Sequence, residues 1–280
     1  MQACIEEVSA VKTRVEAYEQ LSGLPAFHPA AVKLMSISAA SDSAMSDFEG
    51  VFRSDPALTA DLLLMANSAA FGLRARVQGI RHALTLLGLE RVRALASNAM
   101  LVRYLRKQRI RDVEPVWRHS IASAVIAERL GAIYDIPGMY TMGLLHDLGR
   151  LGLLLSRGEQ YAETLVAEVE DIGEAMEIET TICGMDHCDA GALLARTWGF
   201  PEILQLAMVR HHCERPQRTQ TSIDLLQIAC QMACWLGFPE IRQRSPHAPQ
   251  SLPQRIVTDP QLDSQRVLEL IKQQAVSLAS

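Results

Sequence analysis

The sequence has few aromatic residues, no long apolar run and no paired-cysteine motif. Aromatic residues make up 5% of the 280 positions, so the core must depend on aliphatic side chains, and abundant Ala, Leu, Met, Glu and Arg favour helices. No apolar run reaches the roughly 18 residues of a membrane span. The first residues form neither a basic segment nor an apolar stretch, so we expect no signal peptide. The six cysteines show no CxxC spacing, which predicts reduced thiols in a cytoplasmic protein.

The net charge of −5 conceals an uneven distribution. Eleven of the 27 basic residues lie between Arg74 and Arg118, together with three acidic residues. That segment therefore carries +8 and the rest of the chain −13. A basic segment can bind anions, but arginines on the outer faces of helices explain it better, and few aromatic residues are interleaved. We therefore rank nucleic-acid binding last among the candidate functions.

Apolar residues recur at helical spacing through most of the chain, and no alternating strand pattern is convincing. Asp55-Pro56 indicates a helix start, because the carboxylate can cap free N–H groups and proline fits the first turn. Another short helix, over 140–148, is expected to carry His146-Asp147. The proline-rich residues 245–253 indicate a linker, and 265–278 a docking helix. The sequence thus predicts an all-α fold.

Asn67 and Ser68 stand out as polar residues in an apolar helix. Side chains of this kind usually bond a nearby carbonyl or face a neighbouring loop. We expect a structural role, in which Asn67 ties its helix to the loop after Gly72. Contact with a ligand is the alternative.

Four segments, in the same order along the chain, resemble the signature of the HDOD domain family. They are Leu24-Pro25-Ala26-Phe27, Ser54-Asp55-Pro56-Ala57-Leu58-Thr59, Ala66-Asn67-Ser68-Ala69 and Ala83-Leu84-Thr85-Leu86-Leu87-Gly88-Leu89. The resemblance extends from about Leu24 to Gly237. It implies a bacterial signalling or regulatory module with an HD-domain-like multi-helix bundle and an N-terminal helical subdomain.

The resemblance also suggests domain boundaries. The expected parts are an N-terminal helix (1–23), an HDOD domain (24–240) divided into an N-terminal helical subdomain (24–111) and an HD-like subdomain (112–240), and a linker with a C-terminal helix (241–280). The two terminal segments either cap the core or form the interface of a homodimer.

Histidines follow the ligand order of the HD-superfamily metal-dependent phosphohydrolases, which is His, His-Asp, His, His and Asp. By this resemblance the metal ligands are His119, His146, Asp147, His187, His211 and His212. The closing aspartate is missing, because Ala229-Cys230 stands at the matching place. Asp224, six residues before Cys230, is about 240° around the helix from it and is a poor substitute. No Gly-Tyr-Pro follows His211-His212, unlike in the HD-GYP phosphodiesterases.

Cys230 is the last candidate ligand, and it changes the expected metal. A thiolate favours Zn²⁺ or iron, whereas aspartate suits Mg²⁺ and Mn²⁺. The alternative is that Cys230 is a small buried apolar residue, and each histidine taken singly has a similar structural explanation. Arg150 occupies the helix end after the HD pair, where it could bind a phosphate or form a salt bridge on the surface.

The missing aspartate favours a non-catalytic regulatory module. It would act through contacts with signalling proteins, or by sensing a small phosphorylated ligand at a vestigial HD metal site. The alternative is a metal-dependent phosphohydrolase or phosphodiesterase of nucleotides or cyclic dinucleotides, which the retained ligand set supports.

Overall fold

The computed structural model describes residues 2–68, 76–108, 113–213 and 221–244, together with 265, 268 and 269. The described elements are α1 (Gln2–Ser22), α2 (Pro29–Ser36), α3 (Ala44–Arg53), α4 (Pro56–Ala66), α5 (Ile80–Leu87), α6 (Leu89–Gln108), α7 (Glu114–Tyr134), α8 (Met139–Leu145), α9 (Leu148–Arg157), α10 (Glu159–Val166), β1 (Glu168–Val169), α11 (Ile172–Cys183), α12 (His187–Thr197), α13 (Glu202–Arg210), α14 (Ser222–Trp235) and β2 (Arg242–Gln243). The prediction of an all-α fold is confirmed. The predicted linker and docking helix lie outside the described residues, apart from isolated positions in the helix.

The chain forms two compact units. One comprises residues 26–104, and the other joins residues 1–25 to residues 105–280. The N-terminal helix α1 thus belongs to the same unit as α7 to α14. None of the helices in the described part of the chain combines the length and the apolar character needed to cross a membrane.

Local polar signals organise the unit of residues 26–104. The Asp55 carboxylate accepts a hydrogen bond from the backbone N–H of Leu58 at 2.9 Å, so it caps α4 as predicted. Asn67 follows α4 and pairs with Val77: its amide group donates to the Val77 carbonyl at 2.8 Å and accepts from the Val77 N–H at 2.7 Å. The expected structural role of Asn67 is confirmed, since it ties the end of α4 to the chain that leads into α5.

Several arginines of the basic segment are engaged within this unit. Arg93 is buried and donates from Nε to the Leu34 carbonyl at 3.0 Å, near the end of α2. Arg81 pairs with Glu49 at 3.1 Å, and Arg103 pairs with Asp61. These side chains stabilise packing between elements of the unit, although they stand in the basic segment of the sequence.

In the second unit, α7 lies at the centre of the core and packs against α8 and α14, while α9 packs against α12. Two glycines permit the close approach. A Cβ atom on Gly143 of α8 would lie 2.7 Å from Ala124 of α7, and one on Gly149 of α9 would lie 1.8 Å from the His187 carbonyl at the start of α12. Real atoms cannot approach so closely, so glycine at these positions lets the histidine-bearing helices meet.

Two local predictions were wrong. His146 and Asp147 do not lie within a helix: α8 ends at Leu145, α9 begins at Leu148, and the pair forms the turn between them. The amphipathic spacing of residues 159–169 also predicts a single helix, but α10 ends at Val166, and residues 168–169 pair in parallel with residues 242–243 as a two-residue strand ladder. At this second place, pairing with a distant segment overrode the local helical pattern.

Candidate metal centre

Five separate elements of one unit bring the predicted ligands together. His119 lies in α7, His146 and Asp147 in the turn between α8 and α9, His187 at the first position of α12, His211 and His212 directly after α13, and Cys230 in α14. The chain turn before α12 is fixed by Asp186, whose carboxylate accepts from the Asp189 N–H at 2.8 Å.

Four imidazoles have the same orientation relative to their surroundings. In each, Nδ1 faces an acceptor: Phe238 O lies 2.8 Å from His119, Gly143 O 2.7 Å from His146, Glu179 Oε2 2.6 Å from His187, and Met208 O 2.8 Å from His211. Nδ1 must therefore carry the proton and donate it. In the neutral ring the lone pair is then on Nε2, and this arrangement is the usual one for histidines that bind a metal.

The Nε2 atoms converge on one another and on Asp147. The two Nε2 atoms of His119 and His146 are 3.3 Å apart. Oδ1 of Asp147 lies 3.7 Å from Nε2 of His187 and 3.6 Å from Nε2 of His211. Within the described part of the chain, neither Oδ1 of Asp147 nor Nε2 of His211 has a hydrogen-bond partner, although both are buried.

These separations fit a bound metal ion. Ligand atoms about 2.0 Å from a tetrahedral ion lie about 3.3 Å from one another. Lone pairs that face each other at such distances repel unless a proton or a metal ion lies between them. The donor atoms of His119, His146 and Asp147 all lie within 4.8 Å of one another, and this set of imidazoles and a carboxylate fits a divalent transition metal. His187 and His211, which both face Oδ1 of Asp147, are the further residues that would hold it.

The electrostatics of the cluster favour a positive charge. Burial raises the pKa of Asp147, but Arg150, His211 and His187 outweigh it and hold that pKa well below its ordinary value. Burial lowers the pKa of His211, whereas Cys188 and Asp147 raise it, to about 9. The pKa of His146 is lowered well below its ordinary value, chiefly by burial. At neutral pH Asp147 is thus ionised and His146 neutral, which are the states that bind a metal, whereas His211 would release a proton to an incoming ion.

Arg150 is completely buried, so the expectation of a surface salt bridge is wrong. Its guanidinium donates from Nε to Oδ2 of Asp147 at 3.2 Å and from a terminal nitrogen to Tyr161 Oη at 3.1 Å and to Glu179. Two carboxylates neutralise it. The guanidinium therefore orients Asp147 and Glu179 within the core, and its predicted role in ligand binding is not tested by these contacts.

Glu179 is a functional candidate that the sequence did not reveal. It is fully buried on α11, accepts from Nδ1 of His187 as described, and also accepts from the His187 backbone N–H at 2.9 Å and from Tyr161 Oη at 2.8 Å. It thus fixes the imidazole and the helix start at the same time. Glu179 lies four residues from both Ala175 and Cys183, the other buried residues of α11, so helical spacing was a signal that could have identified it.

Three other positions considered from the sequence are His212, Cys230 and Asp224. His212 packs against His211 with ring centroids 4.0 Å apart, and its buried Nε2 has no hydrogen-bond partner among the described residues. Cys230 lies at the site, with Sγ 3.5 Å from Nε2 of His119. Asp224 does not, because it forms a capping box with Thr221 at the start of α14. The sequence-based dismissal of Asp224 is confirmed.

Comparison with known proteins identifies the family. The HDOD domain profile matches residues 24–214, which is more than half of the chain. The chain belongs to the HDOD domain family. An uncharacterized protein of Treponema pallidum (strain Nichols) is 27% identical over 174 residues, which are 61% of this chain and 34% of that protein. The HDOD chain therefore spans about a third of the length of this curated relative.

Solved structures show the same fold. A protein from Marinobacter aquaeolei VT8, provisionally named as a signal transduction protein, is 20% identical over 97% of this chain and 66% of its own, with a TM-score of 0.68. A provisionally named phosphohydrolase from Shewanella amazonensis SB2B is 21% identical over 94% of this chain and 93% of its own, with a TM-score of 0.60. At these identities the similarity establishes the HDOD fold alone.

Cys234 and Glu240 also lie beside His119. Oε2 of Glu240 is 3.1 Å from Nδ1 of His119, and Cys234 Sγ is 3.9 Å from the same nitrogen. The spacing of Cys230 and Cys234, four residues apart on one helix, was a signal that could have identified the second thiol. Glu240 follows the helix after a turn, so no periodic pattern indicates it.

Proposed function

We propose that this HDOD chain is a non-hydrolytic regulatory module whose His/Asp centre holds a divalent transition metal. The main observation in support is that the ligand residues are shielded from solvent. The exposed fractions of the five ligand residues are 0% for His119, 1% each for His146, Asp147 and His187, and 3% for His211. Shielding of this kind suits a structural metal site, because a catalytic site must admit substrate to an open coordination position.

An ion at this centre would join segments that are distant in sequence. Its ligands come from α7, the α8–α9 turn, the start of α12 and the end of α13. Because the ligands converge only in the folded unit, the free energy of metal binding would stabilise this arrangement of helices. Occupancy of the centre would thereby set the surface that meets a signalling protein, a small phosphorylated ligand or a second copy of the chain.

The donor set suggests which metals would bind. Four imidazoles and one carboxylate suit Zn²⁺ or iron, and the sulfur of Cys230 lies beside His119, where the HD enzymes have a closing aspartate. Mg²⁺ and Mn²⁺ prefer oxygen ligands, of which this centre offers one residue. We therefore expect Zn²⁺ or Fe²⁺ in preference to Mg²⁺.

A phosphohydrolase is the second candidate, because the donor set retains the order of the HD enzymes and the Shewanella protein carries that name. A bound metal would polarise a phosphate and activate water. Two features of this chain oppose it. The ligand atoms are shielded from solvent, and Arg150, the buried cation beside Asp147, is paired with two carboxylates.

Metal analysis and a hydrolysis assay on the full chain test the proposal together. Protein purified without chelators should contain near-stoichiometric Zn or Fe, and His146→Ala should lose it. Nucleotides and cyclic dinucleotides should not be turned over. The absence of bound metal would refute the metal centre, and metal-dependent hydrolysis abolished by His146→Ala would establish the enzyme instead.

A further inference from the structure

His119 faces a second group of donors on its Nδ1 edge. Besides its 3.1 Å contact with Nδ1, Oε2 of Glu240 lies 3.1 Å from Sγ of Cys234. Cys230, one helical turn before Cys234 on α14, has its Sγ 3.5 Å from Nε2 of the same ring and within 4.8 Å of the Cys234 and Glu240 donor atoms. Cys234 and Glu240 thus supply a thiol and a carboxylate that the His/Asp centre does not use, and Cys230 borders both groups.

The four groups have the spacing of a tetrahedral metal site. One donor atom from each of His119, Cys230, Cys234 and Glu240 lies within 4.8 Å of every other. Around Zn²⁺, with bonds of about 2.0 Å to nitrogen or oxygen and about 2.3 Å to sulfur, ligand atoms are about 3.3 to 3.8 Å apart. The observed separations of 3.1 Å for Glu240 and 3.9 Å between Cys234 and His119 bracket that range.

Burial makes this group unusual for a purely structural cluster. The exposed fraction is 0% for His119, 1% for Glu240, 3% for Cys230 and 8% for Cys234. A carboxylate removed from water is costly unless a cation or several donors compensate it. The described contacts of Glu240 are a thiol and an imidazole, and both of these can also bind a metal.

The backbone after α14 presents Glu240 to the helix. Gly237 has φ +90, a left-handed conformation that glycine adopts readily, and the Phe238 N–H donates to the Ala233 carbonyl at 3.0 Å. The chain therefore reverses and brings Glu240 back to the face that carries both thiols. The Phe238 carbonyl accepts the Nδ1 proton of His119 when no ion is bound, and an ion at Nδ1 would displace that proton.

We propose that Cys230, Cys234, Glu240 and Nδ1 of His119 form a second metal site, selective for thiolate-preferring divalent cations such as Zn²⁺, Co²⁺ and Cd²⁺. This site is distinct from the His/Asp centre, which uses Nε2 of the same imidazole. A neutral imidazole has one lone pair, so the two sites compete for His119. The site does not depend on His146 or Asp147, and it can therefore be tested apart from the proposed function.

Cobalt titration of the reduced, metal-free full chain tests the site. Thiolate ligands give Co²⁺ an intense near-ultraviolet charge-transfer absorption, whereas imidazole and carboxylate ligands do not. We expect this absorption in the unmodified protein and in His146→Ala. It should lose most of its intensity in Cys234→Ser and remain in Cys183→Ser, the matched control for a buried cysteine on another helix.

Glu240→Gln provides a second variant that keeps the side-chain volume. It should weaken cobalt binding at the thiolate site by about tenfold or more, with circular dichroism verifying the fold of each variant. Cobalt uptake without a thiolate absorption, or an absorption unchanged in Cys234→Ser, would overturn this site and leave the His/Asp centre standing. Failure to bind cobalt at all would overturn both.

Discussion

Replacing Glu179 by glutamine removes one negative charge from the buried network while preserving its shape. Glu179 is fully buried and receives hydrogen bonds from Arg150, Tyr161 and both N–H groups of His187. The change leaves the Arg150 guanidinium with Asp147 as its remaining carboxylate partner. It also presents an amide to an imidazole nitrogen that needs an acceptor.

The pKa of Glu179 sets the magnitude. Burial raises this pKa, but Arg150 and His187 outweigh burial and lower it from 4.5 to about 2. That difference corresponds to about 3 kcal/mol of folding free energy at neutral pH. Breaking a buried ion pair by removing one partner typically costs about 3 to 5 kcal/mol. We therefore expect Glu179→Gln to destabilise the metal-free protein by about 3 kcal/mol or more.

The pH dependence follows from the lowered pKa. Because the folded pKa lies below the unfolded one, the stabilisation is complete above about pH 4.5 and is lost as the pH falls through about 2. The stability difference between the unmodified protein and Glu179→Gln should therefore shrink across this interval, as the carboxylate itself takes up a proton.

Urea denaturation of metal-free protein measures the effect, with Glu177→Gln as the matched control. Glu177 lies on the same helix but is exposed, so its substitution should change the free energy of unfolding by less than about 0.5 kcal/mol. A loss below about 1 kcal/mol for Glu179→Gln, or a difference that does not narrow in acid, would refute the assigned network.

One further substitution tests the packing that positions the centre, and two test local structure in the unit of residues 26–104. Gly149→Ala would place a Cβ against the His187 carbonyl, so it should lower the free energy of unfolding by at least about 3 kcal/mol in urea denaturation. It should also weaken zinc binding, measured by competition with a chromophoric chelator. Near-normal stability would contradict the close approach. Gly50→Ala should instead raise the free energy of unfolding by about 0.5 to 1 kcal/mol, since the position is helical and open, and a lower thermal midpoint would count against that helix. Asn67→Ala should lower the free energy of unfolding by about 1 to 3 kcal/mol, because it leaves the Val77 backbone groups unpaired. The Val77 amide should then exchange its hydrogen faster, and an unchanged exchange rate would exclude that pairing.

Local features of the fold could be predicted because their causes extend over a few residues. The cap at Asp55 depends on a donor three residues away, and helical periodicity repeats every turn, so both are visible in the sequence. The order of the candidate ligands and the missing aspartate at Cys230 were also visible. These signals determined the all-α class and the chemistry of the donors.

The geometry of the centre was decided by packing between distant segments. Glu179 meets Arg150 across 29 residues, and Cys230 meets His119 across 111. These neighbours determine which nitrogen of each imidazole carries the proton. They also bury Arg150, which was expected at the surface. Contacts at such separations form only when helices pack. The ligand types could therefore be read from the order of residues, whereas the directions of their lone pairs depend on the tertiary structure.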